Sequence, residues 1–248
     1  MDMAIETHFL SVLDHPNIIK MRGVGEGDMF DSGYFIVMDR LYSSLDSEID
    51  GWKDEVEKSQ SCMAMLLGKT KSRKRKHFKK RLSIAKDIAG AMEHLHKLSI
   101  IYRDIKPENL GFDVKGVIKL FDFGLAKELH ESERFSSGTY KLTGNTGSIR
   151  YMAPEVANKQ FYNLSADVYS FGIMLWEIMQ MEVPFKSFDS DMIRNMVVKF
   201  GNRPEVDTTW PTNLQNVMKR SWQINLRKRP SFTEIVADLE GEIDKMDD

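Results

Sequence analysis

The sequence predicts an α+β protein, a small amount of sheet followed by a mostly helical second half. Three observations lead there. Short β-type segments stop before residue 121, apolar residues at helical spacing dominate after residue 165, and a long Ser/Thr/Gly-rich loop over 125–150 separates the two. At 248 residues the chain can bury a full core. Its 42% apolar and 29% charged content are ordinary for a globular protein.

The elements follow in order. Ile5, Phe9, Leu10, Val12 and Leu13 recur at helical spacing over 4–13, and His15-Pro16-Asn17 stops that helix, because proline disfavours a helical residue before it. Strands are expected over 18–24 and 34–38, joined by a glycine- and acid-rich turn. Residues 41–80 read as polar and irregular, with one short helix near 44–52. An amphipathic helix then spans 80–98, with Leu82, Ala85, Ile88, Met92 and Leu95 on one face. Short β segments are expected at 100–102, 110–112 and 117–120, and helices at 165–181, 189–199, 211–221 and 231–245.

Composition removes several classes of function. The net charge of −2 gives no global pull toward nucleic acid or anionic membrane. Cys62 is the single cysteine, so no intrachain disulfide forms, which fits a reducing, cytoplasmic setting. The N-terminal residues lack a secretory h-region, and the greasiest stretch, 168–181, is short of the ~20 residues a membrane span needs and contains Glu177.

The chemistry is carried by Tyr102-Arg103-Asp104-Ile105-Lys106-Pro107-Glu108-Asn109, then Asp122-Phe123-Gly124, then Ala153-Pro154-Glu155. This ordered series resembles the protein kinase family, serine/threonine type, with wording close to its tyrosine-kinase-like group. The resemblance implies a protein-kinase-like fold with ATP and Mg²⁺ as cofactors and protein Ser/Thr hydroxyls as acceptors. Phosphoryl transfer passes through a loose, highly charged transition state, so catalysis is positioning plus charge neutralisation. By resemblance Asp104 orients the acceptor hydroxyl and takes its proton, Lys106 reaches the γ-phosphate, and Asn109 and Asp122 ligate Mg²⁺.

The same resemblance extends outward. Glu6 to Ile18 looks like the end of the family's C helix, with Glu6 as the acid that pairs an ATP-anchoring lysine. Met38 would be the gatekeeper, with backbone groups of Asp39 and Leu41 meeting adenine. Gly111 stands where leucine commonly floors the adenine, leaving that task to a neighbour such as Leu41 or leaving room for a bulkier ligand. Arg103 would bind a phosphate on the activation loop, for which Thr143, Thr146, Ser136 and Ser137 are candidates. Ser148 would hydrogen-bond near Asp104 and Lys106. Asp167 would begin the buried central helix, and Arg229 would pair with Glu155.

By this reading, residues 1–39 are a partial N-lobe and 40–245 a complete C-lobe with a basic insertion over about 51–80. Five residues precede Glu6, too few for a glycine-rich loop and strand lysine, so the expectation is a fragment of a longer kinase. Gly23-Val24-Gly25-Glu26-Gly27 is expected to be a hairpin turn. Gly68-Lys69-Thr70 fails as a Walker A end, because Met63 occupies the first-glycine position. The alternative function is a pseudokinase or scaffold. Residues 69–81 hold nine Lys or Arg and no acid. Within them, residues 71–76 resemble a nuclear import signal, but the expectation here is a solvated, disordered insertion. Without aromatic interleaving, nucleic acid is not an expected partner. Oligomeric state is not legible in the sequence.

Overall fold

The structure, a computed structural model, describes residues 3–27, 33–59 and 70–246. Cys62, Met63, Gly68, Lys69 and the turn over 28–32 lie outside the described residues. Helix α1 (Met3–Val12) buries Glu6, Phe9 and Leu10, and its last turn closes where Leu13 N–H donates to Phe9 O (3.0 Å). Strand β1 (Met21–Val24) pairs antiparallel with β2 (Ile36–Met38), Met21 opposite Met38. The expected strand over 18–24 is therefore split. Residues 17–19 run beside a different strand, with Ile19 N–H on Leu120 O (2.9 Å) and Leu120 N–H on Asn17 O (2.8 Å).

Strand β3 (Leu41–Ser44) crosses into a second sheet, in which β5 (Leu110–Asp113) lies between β3 and β6 (Ile118–Leu120), all antiparallel. A two-residue strand, β4 (Ile100–Ile101), pairs with β7 (Lys127–Glu128), fastening the start of the long loop beside the segment that precedes Tyr102.

Residues 41–80 are more ordered than their polarity suggests. After β3, helix α2 (Leu45–Ser59) buries Leu45, Ile49 and Trp52, and α3 (Thr70–Lys97) already includes the basic run. The expected disordered insertion is thus replaced, over 70–80, by helix with residues 72–76 exposed. Lys and Arg are good helix formers once a packed segment nucleates the helix, and here the apolar face beginning at Leu82 does so. Leu82, Ala85, Ile88, Met92 and Leu95 are all buried, as their spacing predicts. Each large member contributes about 1.5–3 kcal/mol of burial.

The second half is helical: α4 (Pro154–Ala157), α5 (Ser165–Gln180), α6 (Ser190–Met192, continued by a π-turn over Ile193–Lys199), α7 (Thr212–Ser221) and α8 (Phe232–Asp244). Helix α5 is buried all round from Ala166 to Met179 and contacts α3 and α7. Helix α8 begins with a capping box: Glu234 N–H donates to Ser231 Oγ (3.2 Å) and Ser231 N–H to Glu234 Oε2 (2.7 Å). Such a cap contributes about 1 kcal/mol. Among the described residues, no helix is long and apolar enough to cross a membrane.

Candidate active site

The loop after β4 folds back on itself. Pro107 opens a 3₁₀ turn over Pro107–Asn109, closed by Asn109 N–H on Lys106 O (3.1 Å). Proline at the first helical position is preset for that turn. The result brings residues 104, 106 and 109 onto one buried carboxylate. Asp104 Oδ2 accepts Lys106 Nζ (2.6 Å) and Asn109 Nδ2 (2.9 Å), and Asn109 Nδ2 also reaches Asp104 O (2.9 Å). The other oxygen, Oδ1, accepts the backbone N–H of Ser148 (2.9 Å), so Ser148 meets Asp104 through its main chain. Gly147 makes this approach possible. It sits at φ +91°, and a Cβ there would overlap Arg103 O and lie 3.1 Å from Asp104 Oδ1.

Two residues of the site hold left-handed backbone without being glycine, Arg103 (φ 72°) and Asp122 (φ 62°). Such conformations cost on the order of 1–3 kcal/mol and persist only when their surroundings over-determine them. Buried Asp167 at the start of α5 does this for Arg103. Its Oδ2 accepts Tyr102 N–H (2.8 Å), its Oδ1 accepts Arg103 N–H (2.8 Å), and His96 Nε2 lies 3.0 Å from Oδ2. At Asp122 the support is a stack beneath it. Tyr102 donates its hydroxyl to Phe121 O, and Phe123 packs between Tyr102 (ring centroids 5.4 Å) and Phe9 of α1 (6.3 Å).

The sequence expectations for Asp104, Lys106 and Asn109 thus meet in one cluster, and Asp122 stands on the adjoining turn, its Oδ1 accepting Gly124 N–H at 3.3 Å. The donor chemistry fits a hard divalent cation. Asn109 commits its nitrogen to Asp104, leaving the amide oxygen as the ligand atom, and Asp122 offers a carboxylate. Among the described residues no group of three His, Cys, Asp or Glu forms a full cage.

Glu6 is buried and faces Asp122 across the same space. Burial first, then the Asp122 carboxylate, pushes the Glu6 carboxyl above its ordinary range. A Cβ at Gly111 would lie 2.9 Å from Leu41 Cδ1 and 3.0 Å from Ser43 O, so Leu41 occupies the space a side chain there would take. Asp39 spends its N–H on Lys20 O (3.0 Å) and its carboxylate on Arg22 (2.6 and 3.0 Å). Met38 ends β2, packed against the core. Arg103 donates Nε to Leu125 O (2.6 Å), while Nη1 is buried without a partner.

The residues that sequence reasoning passed over as site residues are Asp167, placed only as a helix start, and Gly147. A buried acid opening an apolar helix was the available signal for the first. Beyond the site, Arg229 and Glu155 meet as expected, Nη1–Oε1 2.5 Å and Nη2–Oε2 2.9 Å, both buried.

A family model for protein tyrosine and serine/threonine kinases matches residues 1–239, a span that includes every residue of this cluster. The chain belongs to the protein kinase family. Among curated relatives, a probable LIM domain-containing serine/threonine-protein kinase of Dictyostelium discoideum is 36% identical over 181 residues, 73% of the chain and 18% of the relative. The RGS domain-containing serine/threonine-protein kinase A of the same organism is 30% identical over 237 residues, 95% of the chain and 18% of that protein. The serine/threonine/tyrosine-protein kinase HT1 of Arabidopsis thaliana is 35% identical over 159 residues, 64% of the chain and 39% of the relative. The chain spans well under half the length of these relatives.

Proposed function

We propose that this kinase chain carries the phosphotransfer site of a serine/threonine protein kinase, moving the γ-phosphoryl group of ATP to protein hydroxyls with Mg²⁺ bound. The observation that carries the reading is the Asp104 carboxylate, held at both oxygens by Lys106, Asn109 and the Ser148 N–H. Pinned in this way, Asp104 orients an incoming hydroxyl and accepts its proton. Lys106, an ammonium against that carboxylate, supplies positive charge where negative charge develops. Asn109 and Asp122 would hold Mg²⁺, which neutralises phosphate charge when bound. On the adenine side, Leu41 over Gly111 serves as floor and Met38 as gatekeeper. Because the Asp39 N–H is spent on Lys20, any adenine contact from Asp39 falls to its carbonyl.

Glu6 belongs to this site as the acid that receives a cation. Burial, and then the Asp122 carboxylate, disfavour an unpaired negative charge on Glu6, so a positive partner there would be stabilising. We read the protein as cytoplasmic, on its single cysteine.

The test compares phosphate transfer from labelled ATP to a generic Ser/Thr substrate by this chain, extended upstream where the gene allows, and by its Asp104→Asn variant. Loss of at least about 10²-fold with an unchanged melting temperature is expected. Equal rates in the two proteins reject the catalytic reading and leave the scaffold.

A further inference from the structure

Outside the Asp104 cluster, a groove of about 440 Å³ is walled by the turn after α1, the entry to β1, residues 39–40 and the β5–β6 turn. Its floor is apolar: Leu13, Ile18 and Ile19 are packed into the core, while Pro16 and Val114 stand exposed at the rim. Lys119 ties two of the walls together. Its Nζ donates to Pro16 O (2.5 Å) and lies 3.7 Å from Asp113 Oδ2. The β5–β6 turn is closed by Gly116 N–H on Asp113 O (2.9 Å), with Gly116 at φ +75°. The groove is therefore formed before anything enters it, which spares a ligand the entropy of ordering it.

The charges in it do not balance. Asp39 is spent on Arg22 (2.6 Å), and Asp113 on Lys119 and on the N–H groups of Lys115 (2.8 Å) and Val117 (3.0 Å). Lys20, Arg40 and Lys115 are exposed and make no ion pair among the described residues; Arg40 rests over the Tyr42 ring (5.2 Å). Against these three cations the groove offers one uncommitted carboxylate, Asp14, which leaves two positive charges in excess. They stand on separate segments around an apolar floor, so the pattern is a few discrete charges rather than a continuous stripe.

We propose that this groove is a docking site for an extended acidic segment of a partner protein. Its carboxylates meet Lys20, Arg40 and Lys115, and an apolar side chain between them rests on Pro16 and Val114. Facing potentials of opposite sign steer such a segment in and fix its register. A peptide suits the walls better than a nucleic acid does. Its acids can be spaced to fall on the three cations, whereas a strand with a phosphate at every nucleotide must also pass Asp14, Asp39 and Asp113. The lining holds no Phe, Tyr or Trp among the described residues, so bases find no ring to stack on. The groove shares no residue with the Asp104 cluster, so docking can be measured whether or not phosphate is transferred.

The test follows three labelled probes by fluorescence anisotropy: a peptide in which pairs of Glu flank single Leu residues, its counterpart with Gln for every Glu, and a single-stranded oligothymidylate. The acidic peptide should bind this chain, and the Gln peptide should bind at least about tenfold more weakly. Lys20→Glu combined with Lys115→Glu should weaken the acidic peptide by at least about tenfold, with the melting temperature unchanged. Arg40→Ala combined with Val114→Ser should reproduce part of that loss from other walls of the groove, so a folding defect in the first variant does not decide the result. Changing Lys74, Arg75 and Lys76 on the exposed basic turns of α3 to Gln should leave affinity within about twofold. No binding of the acidic peptide below about 1 mM overturns the proposal, as does equal binding of the Gln peptide. Affinity that falls with the α3 variant rather than the groove variants overturns it as well. Tighter binding of the oligothymidylate, with the same dependence on Lys20 and Lys115, overturns the peptide in favour of nucleic acid.

Discussion

Helix α5 carries an acid, Glu177, deep in its apolar length, and replacing it with glutamine should make the protein more stable at neutral pH. Glu177 is 4% exposed, and its Oε2 accepts the Tyr151 hydroxyl at 2.7 Å. A cavity of about 250 Å³ beside it is shared with Asp46, Asp50, Glu108, Ser148 and Arg150. Burial is the largest cause of its shift, and the carboxylates of Glu108 and Asp46 push the same way. The Tyr151 bond and the Arg150 charge oppose them, and the balance lifts the pKa from 4.5 to about 8. Between those two values the unfolded chain has released a proton that the folded chain retains. Stability therefore falls as pH rises through this window, by about 1.4 kcal/mol per unit, which reaches about 3 kcal/mol at pH 7. Glutamine carries no such proton, and its amide oxygen can still accept from Tyr151. Taking about 2–4 °C per kcal/mol for a chain of this length, Glu177→Gln should melt about 6–12 °C above the parent at pH 7. The two should nearly coincide at pH 5. Circular-dichroism melts at half-unit steps from pH 5 to 8 measure this directly, and parallel curves for the two proteins would refute the reasoning.

Three further outcomes follow from the same structure. Arg229→Met strands the buried Glu155 carboxylate and should cost about 3–5 kcal/mol in urea unfolding, much of it recovered when Glu155→Gln is added. Tyr169→Phe should leave stability unchanged or slightly higher. The Tyr169 hydroxyl is buried without a partner, while its ring keeps Arg203 (4.9 Å) and Arg229 (5.2 Å) over its faces. A loss above about 2 kcal/mol would contradict that. Gly147→Ala should push the Ser148 N–H off Asp104 and lower phosphotransfer by on the order of tenfold or more, through kcat rather than the KM for ATP. A steady-state comparison separates the two parameters.

The sequence by itself determined what near neighbours along the chain decide. The face of α3 from Leu82 to Leu95 and the stop at His15-Pro16 rest on contacts a few residues apart. Spacing reveals them because helix and turn geometry repeats over that distance. Where the pattern was polar rather than periodic, as over 41–80, the same reasoning saw irregular chain. A strand and two helix segments stand there, ordered by packing against the core through Leu45, Ile49, Trp52 and Leu82.

What only the tertiary structure decided depends on long separations. Asp167 reaches back to the N–H groups of Tyr102 and Arg103 across 65 and 64 residues, and Ser148 meets Asp104 across 44. Leu41 covers Gly111 because β3 and β5 are paired, and Glu6 faces Asp122 because α1 packs its Phe9 on Phe123. No local rule specifies such meetings, since chain entropy is indifferent to which distant partner a residue finds. The burial of a shared core selects them, and that core exists only once the whole chain has folded.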